Sequence, residues 1–233
     1  MTQAGDYILL QETIFYGAWQ AAENLSLKVM TIPEHSEHGL DLAVFKKAIT
    51  TYSIKVCLLM LNSHNPIGFT VNEDIKFELA KLLHEHEIYL IEDDVYEELY
   101  SDQKKPLSMK YYDQQNLVLH CSSFSKTLGA GFRVGWVYAG KFSEHIQHVQ
   151  LMSTISVNSF IQNALADDLT HRHDEKHLKL KKYTESIKKP ILSISNKSFA
   201  RRLSGRLLAI WLFSMDYPYQ NILIAVALMK NSF

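Results

Sequence analysis

Residues 122–136 concentrate side chains that could do chemistry. The segment has the sequence SSFSKTLGAGFRVGW and supplies hydroxyls, three glycines, the lysine Lys126 and the arginine Arg133. Hydroxyl groups and close-approach glycines suit a bound phosphate, and an arginine can clamp a phosphate through two hydrogen bonds. A lysine beside such an anion site can form an imine with an aldehyde cofactor. The composition also fits a polar surface loop, so this segment alone leaves both interpretations open.

Two earlier segments place further polar side chains directly after apolar runs. The first is Ser63–Gly68, with the sequence SHNPIG, which follows the apolar run Lys55–Leu61. The second is Ile91–Tyr96, with the sequence IEDDVY, which continues the apolar run Ile88–Ile91. Open α/β sheets bind ligands beyond the carboxyl ends of their strands, where these residues would lie. The acidic run could instead be a plain helix N-cap.

Together and in this order, the three segments resemble those of fold-type I, pyridoxal-phosphate (PLP) dependent aminotransferases of class I/II. Residues 122–136 look most like the aminotransferase domain of MocR-type regulators of the GntR family. The resemblance extends from about Gly5 to about Asp168. It implies transfer of an amino group from an amino acid to a 2-oxo acid. Two alternatives stay open: a PLP- or amine-sensing effector domain of a MocR-type transcriptional regulator, and an inactive truncated remnant.

The resemblance assigns roles around the cofactor ring. Lys126 matches the lysine that bonds to the cofactor aldehyde, and it would also move a proton from the substrate α-carbon. Asp93 matches the carboxylate that keeps the pyridine nitrogen protonated, so that the ring can act as an electron sink. Asn65 and Tyr96 match the donors to the ring hydroxyl oxygen. No metal ligand is expected.

The resemblance also assigns a phosphate side and a stacking position. Ser123 matches a phosphate ligand, Ser125 is expected to be a second, and Arg133 matches the arginine that neutralises the phosphate. Phe15, aligned on the following Gly17, matches the aromatic ring that stacks on the cofactor. Phe15 could equally be a core residue, because aromatic side chains are more often packing residues.

The elements that must position these residues alternate between strand and helix. Such alternation predicts an α/β fold with a doubly wound, mainly parallel sheet. From about Phe142 the pattern becomes mostly helical, which indicates a partial helical or α+β small domain. The predicted strands are Tyr7–Gln11, Lys28–Ile32, Lys55–Leu61, Ile88–Ile91, Leu117–Cys121 and Val134–Ala139. The predicted helices are Gly17–Asn24, Leu42–Ile49 and Val71–Glu87, and Trp19, Ala22 and Leu25 are expected on the inner face of the first.

By resemblance, residues 1–141 form the PLP-binding large domain without its N-terminal segment. Residues 142–233 would then form the interdomain helix and an incomplete C-terminal small domain. Ser204–Trp211 departs from the paired-glycine stretch of the family. We therefore expect a chain truncated at both ends, without a DNA-binding domain. Intact relatives are expected to be homodimers, and the substrate side chain is not encoded in any motif.

Composition gives no indication of a nucleic-acid-binding or membrane-surface protein. The 233 residues carry a net charge of −1, which does not demand a nucleic acid or an anionic membrane as partner. The apolar content of 47% is enough to build a core. Cys57 and Cys121 lie in apolar runs and are expected to be reduced thiols, which indicates a cytoplasmic protein.

Overall fold

A computed structural model describes residues 1–35, 39–100 and 104–171 of the chain. Its strands are β1 (Tyr7–Gln11), β2 (Lys28–Ile32), β3 (Glu34–His35), β4 (Gly39–Leu40), β5 (Ile54–Leu59), β6 (Tyr89–Asp93), β7 (Val118–Ser123) and β8 (Gly135–Tyr138). Its helices are α1 (Tyr16–Asn24), α2 (Leu42–Thr51), α3 (Glu73–Glu85) and α4 (Ser143–Thr154), and residues 159–171 are also helical. Short 3₁₀ turns cover Glu97–Leu99, Met109–Tyr112, Ala130–Phe132 and Gly140–Phe142.

Six of these strands form one sheet in the order β2-β1-β5-β6-β7-β8. Neighbouring strands run parallel except β7 and β8, which pair antiparallel. A parallel pair needs a crossover, and α1, α2 and α3 supply three of these connections. The doubly wound, mainly parallel sheet expected from the sequence is therefore confirmed. A small antiparallel ribbon of β3 and β4 is an addition that the sequence pattern did not predict.

The sheet is covered on both faces, as the near-continuous apolar strands require. Because successive strand side chains point to opposite faces, the parallel strands contribute to two separate cores. One core packs strand residues against α2 and α3, and it includes Leu9, Cys57, Leu59, Leu90, Val118, Phe45, Ile49, Leu79 and Leu83. The other packs strand residues against α1, and it includes Ile8, Leu10, Val56, Leu58, Ile91, Ala18, Ala21 and Ala22.

Two local expectations need correction. Trp19 does not lie on the inner face of α1: its side chain is 39% exposed and its indole N–H donates to Glu23. The alanines Ala18, Ala21 and Ala22 are buried instead, because their small side chains let the helix approach the sheet closely. The run Val134–Ala139 is not a buried strand. Its central strand β8 lies at the sheet edge, where Trp136 and Tyr138 are exposed.

Strands β6 and β7 extend further than their apolar runs. Strand β6 continues through Glu92 and Asp93, and β7 continues through Ser122 and Ser123. The backbone ladder between them runs to the pair Asp93 and Cys121. Polar side chains are thus held on regular backbone at the carboxyl edge of the sheet, where a loop would leave them less fixed.

Several expectations lie outside the described residues. They concern residues 172–233 of the predicted interdomain helix and small domain, which include Ser204–Trp211. The proposed boundary at residue 141 falls beside α4 and stays a prediction. In the ranges that the structure describes, no helix is both long and apolar enough to span a membrane.

One glycine fixes the packing beside residues 63–68. Gly39 has a φ of +74°, and a Cβ there would lie 2.4 Å from Cδ2 of Phe69, whose ring stacks on His64.

Gly5 has a comparable φ of +90° but open space around its Cα. We expect Gly5→Ala to lower the free energy of unfolding by about 1–2 kcal/mol through left-handed strain alone. Gly39→Ala should lower it by more, because Phe69 must also move; equal losses in urea denaturation would contradict this packing role.

Candidate functional site

The candidate site lies at the carboxyl edge of three adjacent parallel strands. Strands β5, β6 and β7 are neighbours in the sheet, so their carboxyl ends meet at one edge. The segment after β5 carries Asn65, β6 ends at Asp93, and the turn after β7 carries Lys126. This is the edge where open α/β sheets bind ligands. The topology thus brings together residues from all three sequence segments.

Asn65 and Tyr96 face each other across this edge. The Asn65 side-chain amide donates to the Tyr96 hydroxyl at 3.4 Å, and the two residues are only 9% and 2% exposed. The turn that holds Asn65 is closed by backbone bonds from His64 N to Phe69 O and from Gly68 N to His64 O. Two side-chain polar groups are therefore fixed side by side.

Lys126 is buried in the same place. Only 8% of the residue is exposed, and its Nζ lies 5.7 Å from the centre of the Tyr96 ring, within range of a cation–π contact. The turn that carries Lys126 is held by a bond from Phe124 N to Val134 O, and by a bond from Leu128 N to Phe124 O. A lysine amine presented from such a turn is a candidate nucleophile for a carbonyl group.

Asp93, the last residue of β6, supplies a half-buried carboxylate close to these groups. Burial raises the pKa of Asp93 to about 6, although a hydrogen bond from the Val95 backbone N–H and the nearby His120 and Lys126 favour its charged form. At neutral pH the carboxylate is mostly ionised, and it remains costly to hold in a low dielectric. A cationic ligand group beside Asp93 would offset that cost.

The expected phosphate side also comes together. The Arg133 guanidinium donates to Ser125 Oγ at 3.3 Å, and the Ser125 backbone N–H lies 3.4 Å from Ser123 Oγ. Arg133 has a φ of +52°, a left-handed conformation that is uncommon outside glycine and often occurs at functional sites. One arginine and two hydroxyls thus form a connected group that suits an anion.

Phe15 lies directly before α1, and its ring packs on its neighbours. Its centroid is 4.4 Å from that of Tyr16, and the absence of a Cβ at Gly17 leaves room for the Phe15 ring. Phe15 is half-buried and Tyr16 is 50% exposed. These contacts do not decide between a core role and a stacking role, so the stacking role of Phe15 stays a prediction.

His64 and Glu34 join two parts of the site, and sequence reasoning missed them. Glu34 accepts a hydrogen bond from the Thr13 backbone N–H at 3.0 Å, and its carboxylate lies 3.7 Å from His64 Nε2. Burial lowers the pKa of His64 to about 3, so this imidazole is neutral. Glu34 therefore links the segment before Phe15 to the turn that holds Asn65. Both residues lie in polar sequence segments, TIPEHSEH and NSHNPIG, so no local pattern distinguishes them.

A second buried cluster lies behind Asp93. Ligand atoms of Glu92, Asp94 and His120 all lie within 4.8 Å of one another. Glu92 already accepts hydrogen bonds from His120 Nδ1 at 2.8 Å and from the Met109 backbone N–H at 2.7 Å. We interpret the cluster as an ion-paired network, because the Glu92 oxygens already have partners; the expectation of no metal ligand stays a prediction.

This cluster continues into the core between the sheet and α3. The Asn62 amide donates to Asp94 at 3.1 Å, and its carbonyl oxygen accepts from Lys76 Nζ at 2.8 Å. Lys76 is fully buried and also donates to the Leu107 backbone carbonyl. Sequence reasoning missed these residues because the lysine of an amphipathic helix is usually exposed. The partners of Lys76 come from segments distant in sequence, so no local pattern reveals them.

Solved aminotransferases share this fold. The kynurenine aminotransferase of Pyrococcus horikoshii superposes with a TM-score of 0.79 at 22% identity, covering 84% of this chain and 50% of that chain. The α-aminoadipate aminotransferase LysN of Thermus thermophilus gives a TM-score of 0.78 at 21% identity, covering 84% and 51%. At such identities the likeness establishes the fold alone. The chain has the α/β architecture of the fold-type I aminotransferases.

The sequence identifies the family. Residues 1–194 match the model of aminotransferase class I and II, so the chain belongs to that family. The uncharacterized HTH-type transcriptional regulator YdcR of Escherichia coli K12 is 47% identical over 179 residues, which cover 77% of this chain and 38% of YdcR. The regulator NorG of Staphylococcus aureus is 25% identical over 197 residues, covering 83% and 44%. The chain spans less than half of these relatives, and the resemblance to regulators with aminotransferase-like domains is confirmed.

The raised pKa of Asp93 predicts how the free energy of unfolding of the chain without cofactor depends on pH. Because its pKa in the folded chain, about 6, exceeds the ordinary 3.8, its stabilising contribution is present below about pH 4 and is lost as pH rises through 6. At pH 8 we therefore expect Asp93→Asn to raise the free energy of unfolding by roughly 1–3 kcal/mol, at about 1.4 kcal/mol per pKa unit. The gain should disappear near pH 4.

Urea denaturation at both pH values measures this difference. The control is Asp74→Asn, an exposed carboxylate in the first turn of α3, whose effect should be small at both. A loss of stability in Asp93→Asn at pH 8 would contradict the buried-charge account.

Proposed function

We propose that this chain binds pyridoxal phosphate at the carboxyl edge of β5, β6 and β7 and supports amino-group transfer. The observation that carries the proposal is the buried Lys126 amine beside the Tyr96 ring and an adjacent, largely ionised Asp93. The donor set fits the cofactor: an amine for its aldehyde, a carboxylate for its pyridine nitrogen, and an arginine with two hydroxyls for its phosphate. Membership of aminotransferase class I and II supports this choice.

Each side chain has a defined task in this proposal. Asp93 would hold a proton on the pyridine nitrogen, while Asn65 and Tyr96 would donate to the ring hydroxyl oxygen. Arg133 with Ser123 and Ser125 would hold the phosphate, and Phe15 would stack on the ring. When bound, pyridoxal phosphate supplies an aldehyde and an electron-withdrawing ring that stabilises negative charge at the substrate α-carbon.

Lys126 would carry the proton in the reaction. Its amine would lie next to the α-carbon of a bound amino acid, and in its neutral form it would accept a proton from that carbon and return it. The amino acid and 2-oxo acid partners follow from this reaction type, and the side chain of the substrate stays undefined.

The second candidate function is ligand sensing in a transcriptional regulator. Its support is the identity of 47% to YdcR and of 32% to YjiR, both HTH-type transcriptional regulators of Escherichia coli. The same site would then bind the cofactor or an amine without net turnover. An assembly of two subunits and a cytoplasmic location belong to both versions of the proposal.

Absorbance spectroscopy tests cofactor binding. Adding pyridoxal phosphate to the wild-type chain should produce a visible band that sodium borohydride removes, because a lysine imine is reducible. The band should be absent in Lys126→Ala and retained in Lys141→Ala, an exposed lysine outside the site. An equal band in wild type and Lys126→Ala would contradict the proposal.

Turnover then separates the two functions. Conversion of the band by an amino acid, with release of the matching 2-oxo acid, indicates transferase activity. A band that shifts on amine addition without product release favours the sensor. A wild-type chain that forms no band would be the inactive remnant.

A further inference from the structure

Three consecutive acids at the end of β6 are withdrawn from water, and this inference rests on the proposed role of the middle one. Glu92 is 0% exposed and Asp94 is 1% exposed, while Asp93 is half-buried. Three adjacent carboxylates that are wholly or partly withdrawn from water cannot all be ionised without compensating charge or protonation. The hydrogen-bond partners and neighbouring charges of each carboxylate therefore determine which of the three carries the negative charge.

Glu92 has the most complete set of partners. Its position in β6 pairs with His120 in β7, and the two side chains lie on the same face of the sheet. The separation between Glu92 Oε2 and His120 Nδ1 is 2.8 Å, and the Met109 backbone N–H donates to the other oxygen. By alternation along the strand, Asp93 faces the opposite side. Glu92 and His120 thus form a buried ion pair directly behind the cofactor-binding carboxylate.

The groups that face His120 favour its charged form. Burial by itself would lower the pKa of His120, but the hydrogen bond and charge of Glu92 raise it, with smaller contributions from Asp94 and Glu97. The Trp136 ring of β8 lies 5.1 Å from the imidazole and carries no charge. These are the groups that face His120 from β6 (Glu92), from the segment after β6 (Asp94 and Glu97) and from β8 (Trp136).

Asp94 lacks the partners that an ionised carboxylate needs. Its Oδ2 accepts from the Asn62 amide, while its Oδ1 has no hydrogen-bond partner in the described part of the chain. Burial, followed by the charge of Glu92, raises the pKa of Asp94 well above its ordinary value. The surroundings of Asp94 therefore disfavour its charged form. Asp93 accepts a hydrogen bond from the Val95 backbone N–H and lies near Lys126, so it is the carboxylate available on the ligand side.

We propose that His120 is a positioning residue for the cofactor site: its imidazolium, paired with Glu92 behind β6, keeps Asp93 ionised and ready to hold a pyridinium nitrogen. Without that positive charge, the Glu92 carboxylate would repel the charge on Asp93 through one strand of backbone. Asp93 would then take up a proton at higher pH and lose its attraction for the pyridinium.

The test follows the Asp93 carboxyl directly in the chain without cofactor. Aspartate labelled with ¹³C at the carboxyl carbon gives a titration curve by NMR, and Asp93→Asn identifies the signal. In His120→Gln, with Glu92 left unpaired, the titration midpoint of Asp93 should rise by about one pH unit. In the double variant Glu92→Gln with His120→Gln, which keeps a neutral hydrogen-bonding pair, the midpoint should return toward the wild-type value.

The control removes a histidine from a different ion pair. His84 lies 3.5 Å from Asp113, which binds the backbone at the start of β7, at the opposite edge of the sheet. His84→Gln should leave the Asp93 midpoint unchanged. If His120 only packed against its neighbours, the second substitution at Glu92 would not restore the Asp93 titration midpoint. An equal Asp93 midpoint in His120→Gln and in the double variant would therefore overturn the proposal.

Two further measurements keep the outcome decisive. If His120→Gln does not fold, the imidazole titration of the wild-type chain decides: a His120 that is neutral at pH 6, where Asp93 titrates, would overturn the proposal. With cofactor, the pH at which pyridoxal phosphate binding falls to half should rise in His120→Gln alone. A wild-type chain that fails to bind pyridoxal phosphate would refute the proposed function, while the cofactor-free titration would still decide the role of His120.

Discussion

Burial of negative charge at the end of β6 is the constraint on which the site depends. Glu92, Asp93 and Asp94 are three adjacent acids in a low dielectric, and each is treated differently. One is paired with a histidine, one lies where burial disfavours its charged form, and one is left as a carboxylate toward the ligand side. A buried charge without a bound partner reduces stability, and a cationic ligand group reverses that loss. In this account the cofactor and the fold are therefore energetically coupled through Asp93.

The sheet makes this arrangement possible. Parallel strands end at a common edge, so residues from separated segments meet without long loops. Regular backbone pairing continues to Asp93 and Cys121, which fixes the direction of the carboxylate. Alternation along β6 then sends Glu92 and Asp93 to opposite sides, one toward the core and one toward the ligand. Two electrostatic environments are separated by the thickness of a single strand.

Much of this fold could be predicted from the sequence, and the failures have physical causes. Apolar runs predicted five strands of the main sheet because both faces of a parallel sheet are buried. The sixth run contains β8, which is an exposed antiparallel edge strand. The ends of β6 and β7 were missed at Glu92, Asp93, Ser122 and Ser123 because these residues are polar and do not continue the apolar runs. Backbone pairing between strands does not depend on side-chain polarity, so the strands continue through them. Trp19 was assigned to the inner face of α1 from helical periodicity, although its indole N–H donates to Glu23 at the surface.

As with the fold, part of the candidate site could be predicted from the sequence and part could not. Its ligand-facing residues belong to short local motifs, and the structure brings Asn65, Asp93, Tyr96 and Lys126 to one edge of the sheet. The network behind them has no local pattern: the pairing of Glu92 with His120 depends on the register of two strands, and Lys76 reaches Asn62 only through tertiary packing. Register and helix placement are global properties, so no spacing rule reveals them.

The central claim is that Lys126 is the residue that bonds to pyridoxal phosphate because of its buried setting at this edge. Peptide mapping by mass spectrometry tests it most directly, after a limiting amount of pyridoxal phosphate has been added to the chain and reduced with borohydride. We expect the phosphopyridoxyl group on the peptide that contains Lys126, with little on exposed lysines such as Lys81 and Lys141. A label spread over exposed lysines, or absent from Lys126, would contradict the account.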